Sequence, residues 1–340
     1  MGATFQELFE CVLDRTDLTS TEMQTAIGSI MDGNCNPITI GGFLAALRVK
    51  GCTIDEVAGA ARAMRERATP ISPRQTGLID TCGTGGDALH TFNISTATAL
   101  VVAACGVPVA KHGNRGVSSS SGSADVLEGL DVNIQLTPDQ VATCIDDVGI
   151  GFCFAPLIHG AMKHAAPVRK ELKTRTVFNL LGPLTNPAGA EYQLLGANCP
   201  ENAQILAKAL LQLGTRRAAV VCGAGQLDEV SLWGVTDVFL VDQAAIRHEQ
   251  WTSESFGLPA CDVAELQVSS PQESVAAIRE VFAATAGPHR NIVLANAAAA
   301  LQVAGRVDTL PAGVERAAEA LDSGRVRDLC QRLAAVSREF

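Results

Sequence analysis

The sequence predicts an α/β protein: a small N-terminal helical domain, then a larger domain with a mainly parallel central sheet flanked by helices. Three observations carry this. Residues 1 to about 70 contain helix starts and no strand pattern. From Gly77 onward short β-like apolar runs alternate with helix-like stretches, which argues for a parallel sheet with helices on its faces. Two polar loops, Asp80 to Asp87 and Lys111 to Ser123, each follow such a run and lead into a helix-like stretch, the place where open α/β sheets bind ligands.

Taken in order, Thr19 with Glu22 and Thr53 with Glu56 match the capping box, in which a cap hydroxyl and a carboxylate satisfy each other's main-chain N–H. Ile38 to Leu47 sets Phe43, Leu44 and Leu47 at helical spacing; the face is either the bundle's own core or a subunit interface, and core takes the larger share. Thr69 to Thr76, with two prolines, reads as a linker. Leu78 to Cys82 is a strand, a helix follows from Ile94, Val107 to Ala110 is the next strand, and after a helix from Ala124 comes a strand at Val132 to Ile134. Thr137-Pro138-Asp139-Gln140 opens a helix with a cap, a proline in first position and a glutamine at N3. Gly151 to Ala155 is again a strand. Leu157 to Leu172 reads as one long helix, with His159, Lys163, His164, Arg169 and Arg175 on or near it, most of them a solvated face. The sheet resumes at Gln193 to Gly196, Ala218 to Cys222 and Val238 to Val241, and helices from Ser270, Asn291 and Pro311 close the chain.

Of the 340 residues 47% are apolar and 18% charged, enough for one large core and a smaller satellite. The net charge of -10 disfavours nucleic acid as a partner, because such proteins collect a basic face. An anionic small molecule stays open, since Lys111, His112 and Arg115 can oppose the overall sign locally. The eleven cysteines form no Cys-x-x-Cys pair and read as small buried residues of a reducing compartment, the cytoplasm. Met1 to Glu10 lacks the pattern of a secretory signal. The longest apolar run, Ala97 to Ala110, is broken by Thr98, Gly106 and Pro108 and falls short of the roughly 18 residues of a membrane span. No membrane partner is expected.

Glycines 83, 85 and 86 let the main chain approach a ligand and turn its N–H groups outward, and a helix from Ile94 adds the positive end of its dipole. Two such loops in one sheet point to a ligand with two phosphate groups. Thr91, Asn93, Ser95 and Thr96 suit phosphate oxygens and equally suit helix capping. Asp228 and Glu229 follow a strand; adjacent carboxylates there are either a solvated turn or the one or two carboxylates that Mg²⁺ takes alongside substrate oxygens. Arg169 is either part of a polar face or a planar fork for a substrate carboxylate.

These residues are specific enough to place the chain: it resembles the anthranilate phosphoribosyltransferase family along nearly its whole length. The resemblance rests on Gly83-Thr84-Gly85-Gly86-Asp87, Thr91 to Thr96, Lys111-His112-Gly113-Asn114-Arg115, Ser118 and Ser119, Gly122 to Glu128, and the run Arg175 to Pro187. It implies a nucleoside phosphorylase/phosphoribosyltransferase-like fold divided into residues 1–72 and 73–340, with a helical contribution from about 157–187, and a homodimer formed through the helical domain. It also implies binding of phosphoribosyl diphosphate by Gly83, Gly86, Asp87, Thr91, Asn93, Ile94, Ser95, Thr96, Lys111, His112, Gly113, Asn114, Arg115, Gly116, Val117, Ser118, Ser119 and Ser123. Mg²⁺ would be held by Ser95, Asp228 and Glu229, and anthranilate by Gly83, Asn114 and Arg169, with Lys111, Asp87 and Arg169 carrying the reaction. The departures are Lys173, where the family usually has glycine, expected to stiffen the interdomain helix, and Ser231 to Gly234, where a proline is frequent.

The implied reaction is displacement of diphosphate from the ribose anomeric carbon by the anthranilate amine, with no covalent intermediate. A pyrimidine nucleoside phosphorylase shares the architecture, but Phe178 to Pro187 and Arg169 favour the transferase. A non-catalytic nucleic-acid-binding relative is disfavoured by the net charge.

Overall fold

The computed structural model describes residues 3–116 and 121–340. Four helices, α1 (Phe5–Leu13), α2 (Ser20–Met31), α3 (Pro37–Lys50) and α4 (Ile54–Arg67), open the chain. The predicted capping boxes form at Thr19 with Glu22 and at Thr53 with Glu56. Phe43, Leu44 and Leu47 are buried, so this face of α3 is core, while Ile38 and Val49 of the same helix are 86% and 74% exposed.

The irregular linker leads to β1 (Ile79–Gly83), α5 (Ile94–Ala104), β2 (Val109–Gly113), α6 (Ser123–Gly129), α7 (Pro138–Val148) and β3 (Ile150–Phe154). Short pieces follow: α8 (Ala155–Ile158), a 3-10 turn Gly160–His164, α9 (Ala166–Leu172) and α10 (Phe178–Leu181). Then come β4 (Tyr192–Gly196), α11 (Pro200–Gln212), β5 (Arg217–Gly223), β6 (Thr236–Asp242), β7 (Ile246–Trp251), α12 (Pro271–Phe282), α13 (Pro288–Val303), α14 (Leu310–Asp322) and α15 (Arg325–Ser337). Among the described residues no helix is long and apolar enough to cross a membrane.

Among the described residues seven strands form one sheet, in the order β3-β2-β1-β4-β5-β6-β7. The first five are mutually parallel, and β6 and β7 join antiparallel. From β1 the chain winds outward through β2 and β3, then returns to add β4 on the other side. That reversal makes the C-terminal ends of β1 and β4 the topological switch point, where open sheets leave a crevice.

Alternation along the strands feeds two cores. Leu194, Ala219 and Val221 face the core built with α5 and α13. Leu195, Ala218, Val220 and Cys222 face the other, which runs without a break through α11 into α2, α3 and α4. The helical domain is therefore seated on one face of the sheet by continuous apolar packing.

Three expectations are corrected. Val132 to Ile134 is not a strand: the Asn133 N–H is taken by the Ser337 hydroxyl of α15, 3.0 Å away, rather than by a ladder. The long helix over Leu157 to Leu172 is broken, because prolines open α8 and α9 and cannot continue a preceding turn. Lys173 has φ of +48° and ends α9. It occupies the left-handed conformation that glycine adopts freely, so it stops the helix rather than stiffening it.

Candidate active site

At the switch point β1 ends on Gly83, and Gly85, Gly86, Ala88 and His90 all have positive φ. Two of these carry a Cβ, so the loop is held in a conformation its sequence does not favour locally. What holds it is a ring of bonds: Thr84 N–H to the Gly196 carbonyl, 2.9 Å; Gln226 Nε2 to the Asp87 carbonyl, 2.6 Å; and Arg175 to the Gly86 carbonyl. Among the described residues the main-chain N–H groups of Gly86, Asp87 and Ala88 meet no acceptor. Successive unpaired amides in such a turn form an anion-binding concavity.

Beneath this loop lie the carboxylates. Gly85 N–H donates to Asp228 Oδ2 at 2.7 Å. A side chain at Gly83 or Gly196 would run into Asp228, which is why both strand ends are bare there. Burial, and next the Asp87 carboxylate beside it, push the Asp228 pKa up to about 7. Glu229 is pushed well above the usual carboxylate range by burial and by Asp228, though the Ser95 N–H bonds it. Three acidic groups thus share one small volume, and a cation there would relieve their repulsion.

Among the described residues no three carboxylate, imidazole or thiol groups close a metal cage by themselves. The donor set suits Mg²⁺ instead, which takes hard oxygen ligands, one or two carboxylates and the remainder from substrate and water. Asp228, Glu229 and the Ser95 hydroxyl are the groups that fit.

The start of α5 is already satisfied. Asn93 caps it, its side chain accepting from Thr96 N at 3.3 Å and from the Thr96 hydroxyl. Ser95 N–H goes to Glu229. Of the two roles open to this group, Asn93 and Thr96 perform capping, and Thr91 makes a β-bridge to Gln267. Ile94 is buried.

The expected cationic cluster is dispersed. Lys111 is 2% exposed, its Nζ 2.6 Å from the Thr81 carbonyl and 3.3 Å from the Ser95 hydroxyl. His112 is buried against His159, with its pKa lowered to about 3 by burial first. Arg115 pairs with Glu128 at 2.6 Å and Asp125 at 3.0 Å. Of that cluster, the charge not matched by a paired carboxylate is Lys111, which sits behind Ser95 among Asp80 and Glu229. Asp80, fully buried on β1, accepts from His112 N–H at 3.1 Å and from Asn186 Nδ2 at 2.8 Å.

The described ends of the second loop are tied to the start of α6. Asp125 Oδ2 accepts from Gly116 N–H at 3.0 Å and Gly122 N–H at 2.9 Å, and the Ser123 hydroxyl donates to the Asn114 carbonyl at 3.2 Å. Gly113 must lack a side chain because Ser123 and Phe152 stand against it. Val117, Ser118 and Ser119 lie outside the described residues.

Arg169 is carried on α9, which packs on α3 through Val168 against Gly41. Its guanidinium lies 5.2 Å from the Phe178 ring centroid, and burial lowers its pKa. Among the described residues no carboxylate pairs with it. A half-buried fork without a counterion is a site for a carboxylate from outside the chain. Arg48 of α3, donating to the Arg175 carbonyl at 2.6 Å, ties the helical domain to the residue that grips Gly86.

Asp80, Asn186 and Gln226 are supporting residues that sequence alone gives no role, and His159, expected with Arg175 on a solvated face, is instead 5% exposed against His112. An acid inside an apolar strand run is the one signal among them, at Asp80.

The descriptions "Glycosyl transferase family, helical bundle domain" and "Glycosyl transferase family, a/b domain" match residues 6–68 and 75–327. The chain is 51% identical to the anthranilate phosphoribosyltransferase of Alkalilimnicola ehrlichii over 94% of each. The crystal structure of anthranilate phosphoribosyltransferase from Thermus thermophilus superposes with a TM-score of 0.91 at 40% identity, covering 97% of this chain and 99% of that one. The Saccharomyces cerevisiae enzyme, in complex with PRPP and Mg, also gives a TM-score of 0.91, at 26% identity, covering 100% of this chain and 99% of that one. With family models matching both parts of the chain and relatives about half identical over nearly its whole length, this chain belongs to the anthranilate phosphoribosyltransferase family.

Proposed function

We propose that the cleft transfers the phosphoribosyl group of 5-phosphoribosyl 1-diphosphate to anthranilate, giving N-(5-phosphoribosyl)anthranilate and diphosphate, the second step of tryptophan biosynthesis from chorismate. One observation carries the reading. The loop that carries the unpaired amides of Gly86, Asp87 and Ala88 is bonded to the acidic pair through Gly85 N–H on Asp228, and its Asp87 carboxylate acts on both Asp228 and Glu229. Anion-binding amides beside cation-binding carboxylates are what a magnesium diphosphate requires.

The anthranilate amine is neutral at pH 7 and needs no base before it attacks. Its nitrogen bonds to the anomeric carbon as the carbon–oxygen bond to diphosphate breaks, and the departing oxygen keeps the electron pair. The excess amine proton then leaves to water. Asp228, Glu229 and the Ser95 hydroxyl would hold Mg²⁺, which would supply charge neutralisation for the diphosphate. The loop amides hold the diphosphate oxygens, and Asp87 fixes the loop by accepting from Leu89 N–H at 3.1 Å. Arg169 grips the anthranilate carboxylate, with Asn114 and Gly83 completing that pocket, so the amine is held in line. Lys111 acts through Ser95 and Glu229 as a fixed buried charge, rather than by touching the leaving group. Asn93, Thr96, Thr91, Gly113, Arg115, Gly116 and Ser123 shape the two loops around the sugar phosphate.

The division into residues 1–72 and 73–340, with about 157–187 bridging them, belongs to this reading. So does a homodimer through the helical domain, supported by the exposed Leu13, Ile38 and Val49. The eleven free cysteines support a cytoplasmic location. The test is direct: anthranilate fluorescence should fall on adding phosphoribosyl diphosphate with Mg²⁺ and should persist when the metal is chelated. Fluorescence unchanged with all components present would overturn the assignment.

A further inference from the structure

At the opposite end of the strands, where β4 and β5 begin, a cavity of about 330 Å³ opens between the two parts of the molecule. Arg65 at the end of α4 forms one wall, Gln193 and Glu191 another, and Thr215 and Arg216 a third. Both crossings of the chain between the helical and α/β parts border it, at Pro70 and at Pro187. They are joined by the Ile71 N–H bond to the Pro187 carbonyl, 3.2 Å.

The charges in this cavity do not cancel. Arg65 uses Nε on the Leu184 carbonyl, 2.6 Å away, and among the described residues nothing accepts from its two terminal nitrogens. Burial, and then the neighbouring Arg62, lower its proton affinity. A desolvated guanidinium without an anion is costly to keep. Arg216 at the rim is already matched by Glu191 at 2.9 Å. In the wall Gln193, 2% exposed, gives its amide nitrogen to the Pro183 carbonyl at 2.8 Å, while its buried Oε1 has no donor. The cavity therefore lacks one oxyanion at Arg65.

We propose that this cavity is a second binding site, for a small molecule bearing a carboxylate or phosphate that engages the free terminal nitrogens of the Arg65 fork. Its volume suits a compact ligand, and a bound molecule would touch both crossings at once. It would also lie beside Asn186, whose side chain holds Asp80 under the active site.

Crystals grown without sulfate or phosphate and soaked in selenate should show an anomalous peak within hydrogen-bond reach of Arg65. In solution, inorganic phosphate and malonate would be titrated calorimetrically into enzyme saturated with phosphoribosyl diphosphate and Mg²⁺, which fills the substrate's own phosphate sites. At least one of the two should still bind, and Arg65→Gln should weaken it by about tenfold, the loss of one charge-assisted contact. Whichever anion binds assigns the ligand class. Should Arg65→Gln fail to fold, Arg216→Gln at the exposed rim, weakening binding by about threefold, takes its place beside the selenate map. No selenate peak at Arg65, or equal binding by wild type and the folded variant, overturns the proposal.

Discussion

His159 Nε2 lies 3.1 Å from His112 Nε2, both rings buried where the interdomain segment meets the end of β2. The Gly182 carbonyl, 3.1 Å from His112 Nδ1, can only accept, so that nitrogen carries a proton. His112 Nε2 is then the acceptor and His159 the donor. Protonating both rings would set two N–H groups head to head, with Lys111 and Asp80 the nearest other charges.

A pH dependence of stability follows from this pair. Folding lowers the His112 pKa to about 3 and the His159 pKa to about 4, burial being the leading cause in each. Between these values and the unfolded value near 6.5 the unfolded chain binds protons that the folded chain does not, so stability falls as pH drops through that window. Each histidine contributes at most about 1.4 kcal/mol per pH unit. Thermal melts should lose stability between about pH 6.5 and 5, and the double variant His112→Gln, His159→Gln should show a shallower slope. An unchanged slope would mean that other groups set it.

Arg169→Ala should raise the anthranilate KM by about 10- to 100-fold, the scale of a charge-assisted pair. Phosphoribosyl diphosphate should bind nearly as before, because the amide cradle is on a different element. Arg169→Lys should recover little, since a point charge cannot reproduce the fork. Equal losses for both substrates in steady-state kinetics would assign Arg169 a structural role.

Replacing Asp228 and Glu229 together by Ala should remove the Mg²⁺ dependence of turnover and lower kcat by about 100-fold or more, the scale of losing charge stabilisation of a leaving group. Gly85 loses its partner at the same time. A double variant whose magnesium titration matched wild type would take the metal away from these residues.

Much of the fold and site is legible in the sequence because local chemistry and tertiary role coincide. Thr53 and Glu56 cap a helix as their spacing says, and Gly85 and Gly86 turn where only glycine turns without strain. Edge strands and charge burial are less legible. β7, Ile246–Trp251, carries Arg247, His248 and Glu249, so its polar edge hides it from an apolar pattern. The fate of Lys111, His112 and Arg115 depends on partners far along the chain, such as Ser95, His159 and Glu128. Spacing within the loop cannot reveal that each of the three positive or titratable groups is matched internally. Along the second chain crossing, helical periodicity outlasts the prolines that break the helix.

Lys111 gives the sharpest separation between a catalytic contact and a buried counterion. Its ammonium sits between the Thr81 carbonyl and the Ser95 hydroxyl, and Asp80 and Glu229 both feel its charge. Removing it takes its charge away from those carboxylates and breaks two hydrogen bonds from a charged group, each worth about 1.5–3 kcal/mol. Lys111→Met should therefore lower the melting temperature in the absence of any substrate, and the drop should shrink when Asp80→Asn is added. A residue that only touched diphosphate would leave the free protein as stable as wild type and would raise the KM for phosphoribosyl diphosphate alone. Melting curves of the two single variants and the double, recorded without ligands, decide between these roles.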